Sequence, residues 1–347
     1  MTATQEAPAA ELGRARLRKE DARLITGQTN WTDNIKLPGM LHMAFARSPF
    51  AHAKIRHVDV SAARAMPGVI AVFSGADFGA EQGSLPCAWP VTEDIVIPAH
   101  PPMAVDEVRY VGEAVAVVVA RDRYAAADAV AAVDVDYDPL APVLDMRAAL
   151  EPGSPKVHEA GNKCYVWPFG NGDIDAAFSG APVVIERTYR QQRLIPCAME
   201  PRSVVAQWFG DELTLWSATQ IPHVLRFALS AFFAIPEQNV RVIAPDVGGG
   251  FGSKLQVTAE EVLAVLVGRR VGKPVKWTES RSEGNMTVHH GRDQWQRIRI
   301  AADSDGRIRG LDVDLLADMG AYLMLVTPGI PLLGARSEER RVGKEWA

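Results

Sequence analysis

Pro245-Asp246-Val247-Gly248-Gly249-Gly250-Phe251-Gly252-Ser253-Lys254 is a glycine-rich turn with one aromatic residue inside it. Four glycines in five positions remove nearly all side chain from the backbone. Such a stretch can take positive φ and lets a ligand approach the main chain closely. Upstream, residues 240–244 read as a strand running straight into the turn. Downstream, Thr258 and Glu261 form a capping box that opens a helix to Arg269. The turn therefore stands between a strand and a helix, at the mouth of an α/β layer, a position that ligands favour. Twenty-five residues before it lies a lone Gln220, in Trp216-Ser217-Ala218-Thr219-Gln220-Ile221-Pro222.

Neither common nucleotide motif fits the turn. A phosphate-binding P-loop needs Gly-x4-Gly-Lys-Ser/Thr, and here Ser253 separates Gly252 from Lys254. The dinucleotide fingerprint Gly-x-Gly-x-x-Gly fails as well, because counting from Gly248 the sixth position is Ser253. A nucleotide-dependent enzyme is accordingly the weakest reading.

Working outward, residues 40–46, 55–58 and 69–73 read as strands, with Ser61 placed to cap a short helix over 62–66 that Pro67-Gly68 stops. The continuous apolar run Ala114–Ala120 suits a strand buried on both faces. Asp122 then caps an alanine-rich helix through Ala132, and 133–137 returns as a strand. This β–α–β unit predicts a small mixed sheet with helices packed on it. Pro139, Pro142, Pro152, Gly153 and Pro155 punctuate the next stretch and mark a domain boundary. Beyond it, 183–189, 204–207 and 213–217 read as strands, 221–234 as a helix with one buried face, and 273–277 as a strand. A hairpin over 298–302 and 311–315 turns at Asp303-Ser304-Asp305-Gly306.

The 347 residues suffice for two domains with real cores. A net charge of -5 argues against a nucleic-acid surface. No apolar run approaches the roughly 20 residues that span a membrane, and the start lacks a signal-peptide pattern, so a cytoplasmic location is expected. Cys87, Cys164 and Cys197 are odd in number and far apart, which predicts free, buried thiols rather than a disulfide framework or cluster ligands. Adjacent His289 and His290, read as strand neighbours, point to opposite faces and make no metal pair. After Ala335 the charge jumps and the apolar periodicity ends.

Asp246-Val247-Gly248-Gly249-Gly250-Phe251-Gly252-Ser253-Lys254, preceded by Thr219-Gln220, resembles the first molybdenum-pterin loops of the xanthine dehydrogenase / aldehyde oxidase / aerobic carbon monoxide dehydrogenase family. Ala44-Phe45-Ala46-Arg47-Ser48-Pro49-Phe50-Ala51-His52-Ala53-Lys54-Ile55 and Val111-Gly112-Glu113-Ala114-Val115-Ala116 are similar to that family's α/β hammerhead domain. Met199-Glu200-Pro201-Arg202, Pro274-Val275-Lys276-Trp277-Thr278-Glu279-Ser280-Arg281 and Asp318-Met319-Gly320-Ala321-Tyr322 resemble its first molybdenum-binding domain. The likeness runs over residues 13–335.

It implies an α+β fold. The α/β hammerhead domain covers 21–145, a linker 146–160, and an incomplete first molybdenum-cofactor-binding domain 161–335. Residues 1–20 form a flexible lead-in and 336–347 a tail foreign to the family. Gln220 matches the position whose side-chain amide donates a hydrogen bond to a molybdenum oxo ligand, without itself binding the metal. Gly249, Gly250, Phe251 and Gly252 match the loop whose N–H groups lie against the pterin, with Phe251 walling the substrate channel. The implied cofactor is molybdenum-molybdopterin, as the cytosine dinucleotide in bacterial members, with an anionic pyrophosphate suited to backbone donors.

The implied reaction is hydroxylation of aldehydes or N-heterocycles with water as oxygen source, or carbon monoxide oxidation. Electrons leave through an iron–sulfur small subunit and an FAD-binding medium subunit, in a dimer of heterotrimers. The family continues past this C-terminus with an Ala-Tyr-x-x-x-x-Arg loop and a second domain holding the general-base glutamate. No catalytic residue is identified within these residues. The expectation is an N-terminal portion, inactive alone; the alternative is a non-enzymatic assembly or binding fragment of such a complex.

Overall fold

A computed structural model of the chain describes Gly13 and residues 15–332, so most of the expected lead-in and all of the expected tail lie outside the described residues. Its strands begin with β1 (Leu41–Arg47), β2 (Ala53–Asp59), β3 (Val69–Ser74), β4 (Glu107–Val108), β5 (Ala114–Ala120) and β6 (Asp134–Pro139). They continue with β7 (Val183–Leu194), β8 (Ser203–Phe209), β9 (Glu212–Ser217), β10 (Val240–Ile243), β11 (Val275–Thr278), β12 (Gly291–Ala302) and β13 (Ile308–Ala317).

The apolar run of β5 is buried along its whole length, as its composition predicts. Val117 and Val119 face one hydrophobic cluster, while Ala116 and Val118 face another. A strand whose two faces both lie in a core needs apolar residues at every position, because successive side chains alternate sides. Asp122 caps the helix Arg123–Val130 through Oδ1, which accepts from the N–H groups of Tyr124 and Ala125 at 3.0 and 2.9 Å. The short helix Ser61–Arg64 starts one residue earlier than expected, and its N-cap Val60 supplies no side-chain cap. Ser61 lies inside the helix, and its N–H donates to Asp59 Oδ1 at 2.8 Å.

Mixed sheets with packed helices form as expected, but the two strands of the β–α–β unit join different sheets. β5 joins a seven-stranded sheet of order β10-β9-β8-β11-β1-β5-β3, whereas β6 pairs with β2 in a separate three-stranded sheet, β4-β2-β6. The larger sheet crosses the proline-rich boundary. β1 pairs parallel with β11, Leu41 opposite Val275, and antiparallel with β5. Strands from both halves of the sequence thus share one hydrogen-bonded layer. Leu213, Leu215, Leu225, Leu229, Leu263 and Leu266 fill its main core between the sheet and the helices Pro222–Phe233 and Ala259–Val271. The hairpin of β12 and β13 is longer than its sequence signal and pairs with β7 in a third sheet.

Buried charge stitches these layers together. The Arg202 guanidinium meets Glu279 Oε1 at 2.6 Å and Glu260 Oε2 at 3.0 Å, and donates to Thr287 Oγ1 at 2.7 Å. Arg47, on β1, meets Glu260 Oε1 and Glu283 Oε1 at 3.0 Å each. Both guanidinium groups lie within 6 Å of the Trp277 ring centre, at 5.9 and 5.3 Å. Burial works against the charge on Arg202, and the surrounding carboxylates outweigh it, raising its pKa.

A second cluster joins residues 100–113 to the stretch around Tyr322. The Tyr322 hydroxyl donates to Glu113 Oε1 at 3.1 Å, and the Arg109 N–H donates to Oε2 at 2.6 Å. The His100 ring stacks on Tyr322 at 3.9 Å. Burial pushes the Glu113 carboxyl up from 4.5 to about 7, against the pull of those two donors.

Two outcomes follow from these charges. Arg202→Met strips the buried Glu279 carboxylate of its guanidinium partner, leaves Glu260 to Arg47 alone, and lowers the unfolding free energy by about 3–5 kcal/mol in urea denaturation. Glu113 binds its proton more tightly folded than unfolded, so its stabilising contribution is complete below about pH 4.5 and is lost as pH rises through about 7. The stability difference between wild type and Glu113→Gln therefore falls by about 1–3 kcal/mol between roughly pH 5 and pH 8. Urea melts at several pH values check this; a flat difference refutes it.

Candidate functional site

The glycine turn lies between β10 and the helix Ala259–Val271, where the sequence places it. Three side chains from elsewhere in the chain hold it. At its root, Asp246 forms a parallel bridge with Trp31, its N–H donating to the Asn30 carbonyl at 3.1 Å. Both terminal nitrogens of Arg23 donate to its carboxylate at 2.5 and 2.6 Å, and the Asn30 N–H donates at 2.8 Å. A bidentate arginine fixes orientation as well as position.

Glu200 holds the middle. Its Oε2 accepts from the Gly248 N–H and from Lys254 Nζ, each at 2.8 Å. The Lys254 side chain is 1% exposed, and burial lowers its pKa against the pull of Glu200. Gln220 holds the far end, its Oε1 accepting from the N–H groups of Gly252 at 3.1 Å and Lys254 at 3.2 Å. Two donors on one amide oxygen settle which way the amide faces. The Gln220 Nε2 group has no hydrogen-bond partner among the described residues and is left free to donate.

Between these anchors, the N–H groups of Gly249, Gly250 and Phe251 have no acceptor among the described residues. Three consecutive unused donors suit an anion or the acceptor atoms of a ring system. Gly249 and Gly252 take φ of +99° and +90°. Phe251 also lies at positive φ, +52°, and is 75% exposed. A bulky residue held in that region, with its ring in solvent, is a strained feature of the kind concentrated at binding sites. The absence of side chains is also a matter of space: a Cβ at Gly250 would stand 2.4 Å from Gln220 Oε1, and one at Gly248 2.5 Å from Glu200 Cβ. A row of free donors, a free amide and a backbone bare of Cβ atoms fit an anionic, heteroatom-rich pterin cofactor.

The structure brings Gln220, Gly249, Gly250, Phe251 and Gly252 together at one surface. Glu200 and Lys254 were legible only as parts of motifs; their pairing spans 54 residues of sequence and leaves no local signal. The thiols depart from expectation: Cys197 is exposed, and Cys87 and Cys164 are only partly buried, because all three lie in extended connections rather than in the sheets. His289 and His290 lie in the loop leading into β12, not within a strand. Burial pushes the His289 imidazole down to about 4, although it hydrogen-bonds the Gly252 backbone.

Two glycines of the turn are required for different reasons, and alanine separates them. Gly250→Ala displaces the exposed Gln220 amide and costs about 1 kcal/mol of lost hydrogen bonding; side-chain amide NMR signals of Gln220 should shift. Gly252→Ala meets no neighbour within 4 Å, so its cost of about 1–2 kcal/mol is backbone strain alone, and the Gln220 signals should stay in place.

Comparison with known proteins bears on the same segments. The family described as "Aldehyde oxidase and xanthine dehydrogenase, a/b hammerhead domain" matches residues 26–141, and "Molybdopterin cofactor-binding domain" matches residues 157–337. The carbon monoxide dehydrogenase large chain of Hydrogenophaga pseudoflava is 39% identical over 92% of this chain and 42% of its own length. The nicotinate dehydrogenase large molybdopterin subunit of Eubacterium barkeri is 32% identical, over 90% of this chain and 71% of its own. Quinoline 2-oxidoreductase from Pseudomonas putida 86 superposes with a TM-score of 0.85 at 39% identity, covering 89% of this chain and 40% of that one. The chain thus spans about two fifths of the length of the first and last of these. Two family matches laid end to end along one continuous sheet lead to one conclusion: the chain belongs to the aldehyde oxidase and xanthine dehydrogenase family of molybdopterin-binding proteins.

Proposed function

We propose that this chain forms one wall of the molybdenum-molybdopterin site in the large subunit of a molybdenum hydroxylase. The observation that carries the reading is the row of free donors at Gly249, Gly250 and Phe251 beside the free amide of Gln220. When bound, the cofactor accepts two electrons from the substrate carbon while water supplies the oxygen. The residues here bind and orient. The three N–H groups would hold acceptor atoms of the pterin, and the Gln220 amide would donate a hydrogen bond to the cofactor as a neutral group. Phe251 presents an apolar ring to the side from which a substrate arrives.

The substrate proposed is a small molecule with an oxidisable carbon: an aldehyde, an N-heterocycle or carbon monoxide. Support comes from relatives named for carbon monoxide, nicotinate and quinoline. The cytosine dinucleotide form of the cofactor is proposed on the fit of its pyrophosphate to backbone donors. Iron–sulfur and FAD partner subunits, in a dimer of heterotrimers, are proposed as the route for electrons. Among the described residues no three histidines, cysteines or acids gather as a metal site, and no helix is long and apolar enough to cross a membrane. The free cysteines agree with a reducing, cytoplasmic setting.

The test is chemical analysis of the chain purified with its partner subunits from a host that makes the cofactor. Molybdenum and releasable pterin in a fixed ratio to the chain are expected; their absence from an intact complex would sink the reading. In that complex Gln220→Ala should retain the cofactor yet turn over about 10- to 100-fold more slowly, the usual scale for a residue that orients a metal centre through its ligands.

A further inference from the structure

Glu200 and Lys254 take no part in the row of donors, yet each end of the row hangs on them. One carboxylate oxygen, Glu200 Oε2, receives both the Gly248 N–H before the row and the Lys254 ammonium after it. Glu200 Oε1 is buried with no hydrogen-bond partner, so this single oxygen carries the whole connection. Lys254 is equally committed: its N–H goes to Gln220 Oε1, its carbonyl receives the Gln220 N–H at 2.9 Å, and its ammonium goes to Glu200. Glu200 is itself fixed. Its N–H donates to the Gly248 carbonyl at 3.1 Å, and two residues on, the Arg202 N–H donates to Glu279. A Cβ at Gly248 would collide with Glu200 Cβ, so the two backbones are in contact.

We infer that Glu200 and Lys254 are positioning residues for cofactor binding, an ion pair that closes the glycine turn into an arc so that the N–H groups of Gly249, Gly250 and Phe251 converge. The inference rests on the proposed reading that this row meets the cofactor. Without the pair, Gly248 and Lys254 are no longer tied to a common atom, and a stretch containing four glycines has many alternative conformations to occupy. Donors that must be gathered on binding bind more weakly than donors already in place.

Removing one member leaves a buried charge unpaired, so the decisive variant is the double substitution Glu200→Gln, Lys254→Met. It removes both charges with side chains of similar size and leaves an amide oxygen for the Gly248 N–H. Two measurements are made. Hydrogen exchange on the cofactor-free chain compares the turn, 246–256, with the helix Ala259–Val271. Molybdenum content after gel filtration is then read on the complex with its partner subunits. The expected result is exchange at least about tenfold faster in the turn with the helix unchanged, together with a fall in retained molybdenum of about tenfold. A folded double variant whose turn exchanges like wild type, or which keeps its molybdenum, overturns the inference. A wild-type complex that holds no molybdenum overturns instead the cofactor reading, and the exchange contrast still decides whether the pair closes the turn.

Discussion

The buried guanidinium of Arg202 is the constraint around which the rest is organised. A charge in the interior must be met by opposite charge and by hydrogen bonds, and Arg202 finds these in Glu260 from one helix and Glu279 from the end of β11. Glu260 in turn takes Arg47 from β1, which reaches Glu283 on the next helix. Satisfying one charge therefore fixes the relative placement of segments far apart in sequence. It also fixes the register of β1 against β11, the parallel pairing that makes one sheet of two regions.

The glycine turn inherits its shape from that arrangement. Its glycines offer no side chain to hold it, so only its ends, Asp246 and Lys254, give side chains for other segments to grip. It is held by Arg23 at the root, through the turn's own Asp246, by Glu200 in the middle and by Gln220 at the end, each of these three reaching in from another part of the chain. Glu200 is two residues from Arg202, so the charge network that organises the core also places the carboxylate that shapes the turn. The free donors and the exposed, positive-φ Phe251 are what remain after these anchors have been met. Binding groups left over in this way are rigid without being self-satisfied, which is the condition for receiving a cofactor.

Local features of the fold were readable because local physics sets them. The unbroken apolar run of β5, the Asp122 cap and the Thr258–Glu261 capping box are decided within a few residues and appear where the sequence puts them. The Ser61 cap was misplaced: Ser61 begins the helix and gives its N–H to Asp59, two residues earlier. The β5–helix–β6 unit resembles a local sheet in sequence, yet β6 finds a better partner in β2. The helix Pro222–Phe233 has one buried face, as expected, formed by Leu225 and Leu229, while Val224 is exposed.

The four residues 249–252 were singled out by composition and Gln220 by the family resemblance, and they do meet. Glu200, Lys254, Arg23 and Arg202 were not, because an ion pair between residues tens or hundreds of positions apart leaves no periodicity to read. By itself the sequence determined most of the longer strands and helices, where the backbone is bare enough to meet a ligand, and which family's motifs it carries. Only the tertiary structure decided that one sheet crosses both regions and that a single carboxylate oxygen ties both ends of the turn. The reason is physical: secondary structure is set by contacts within a turn or two of chain, whereas buried charges choose their partners in space.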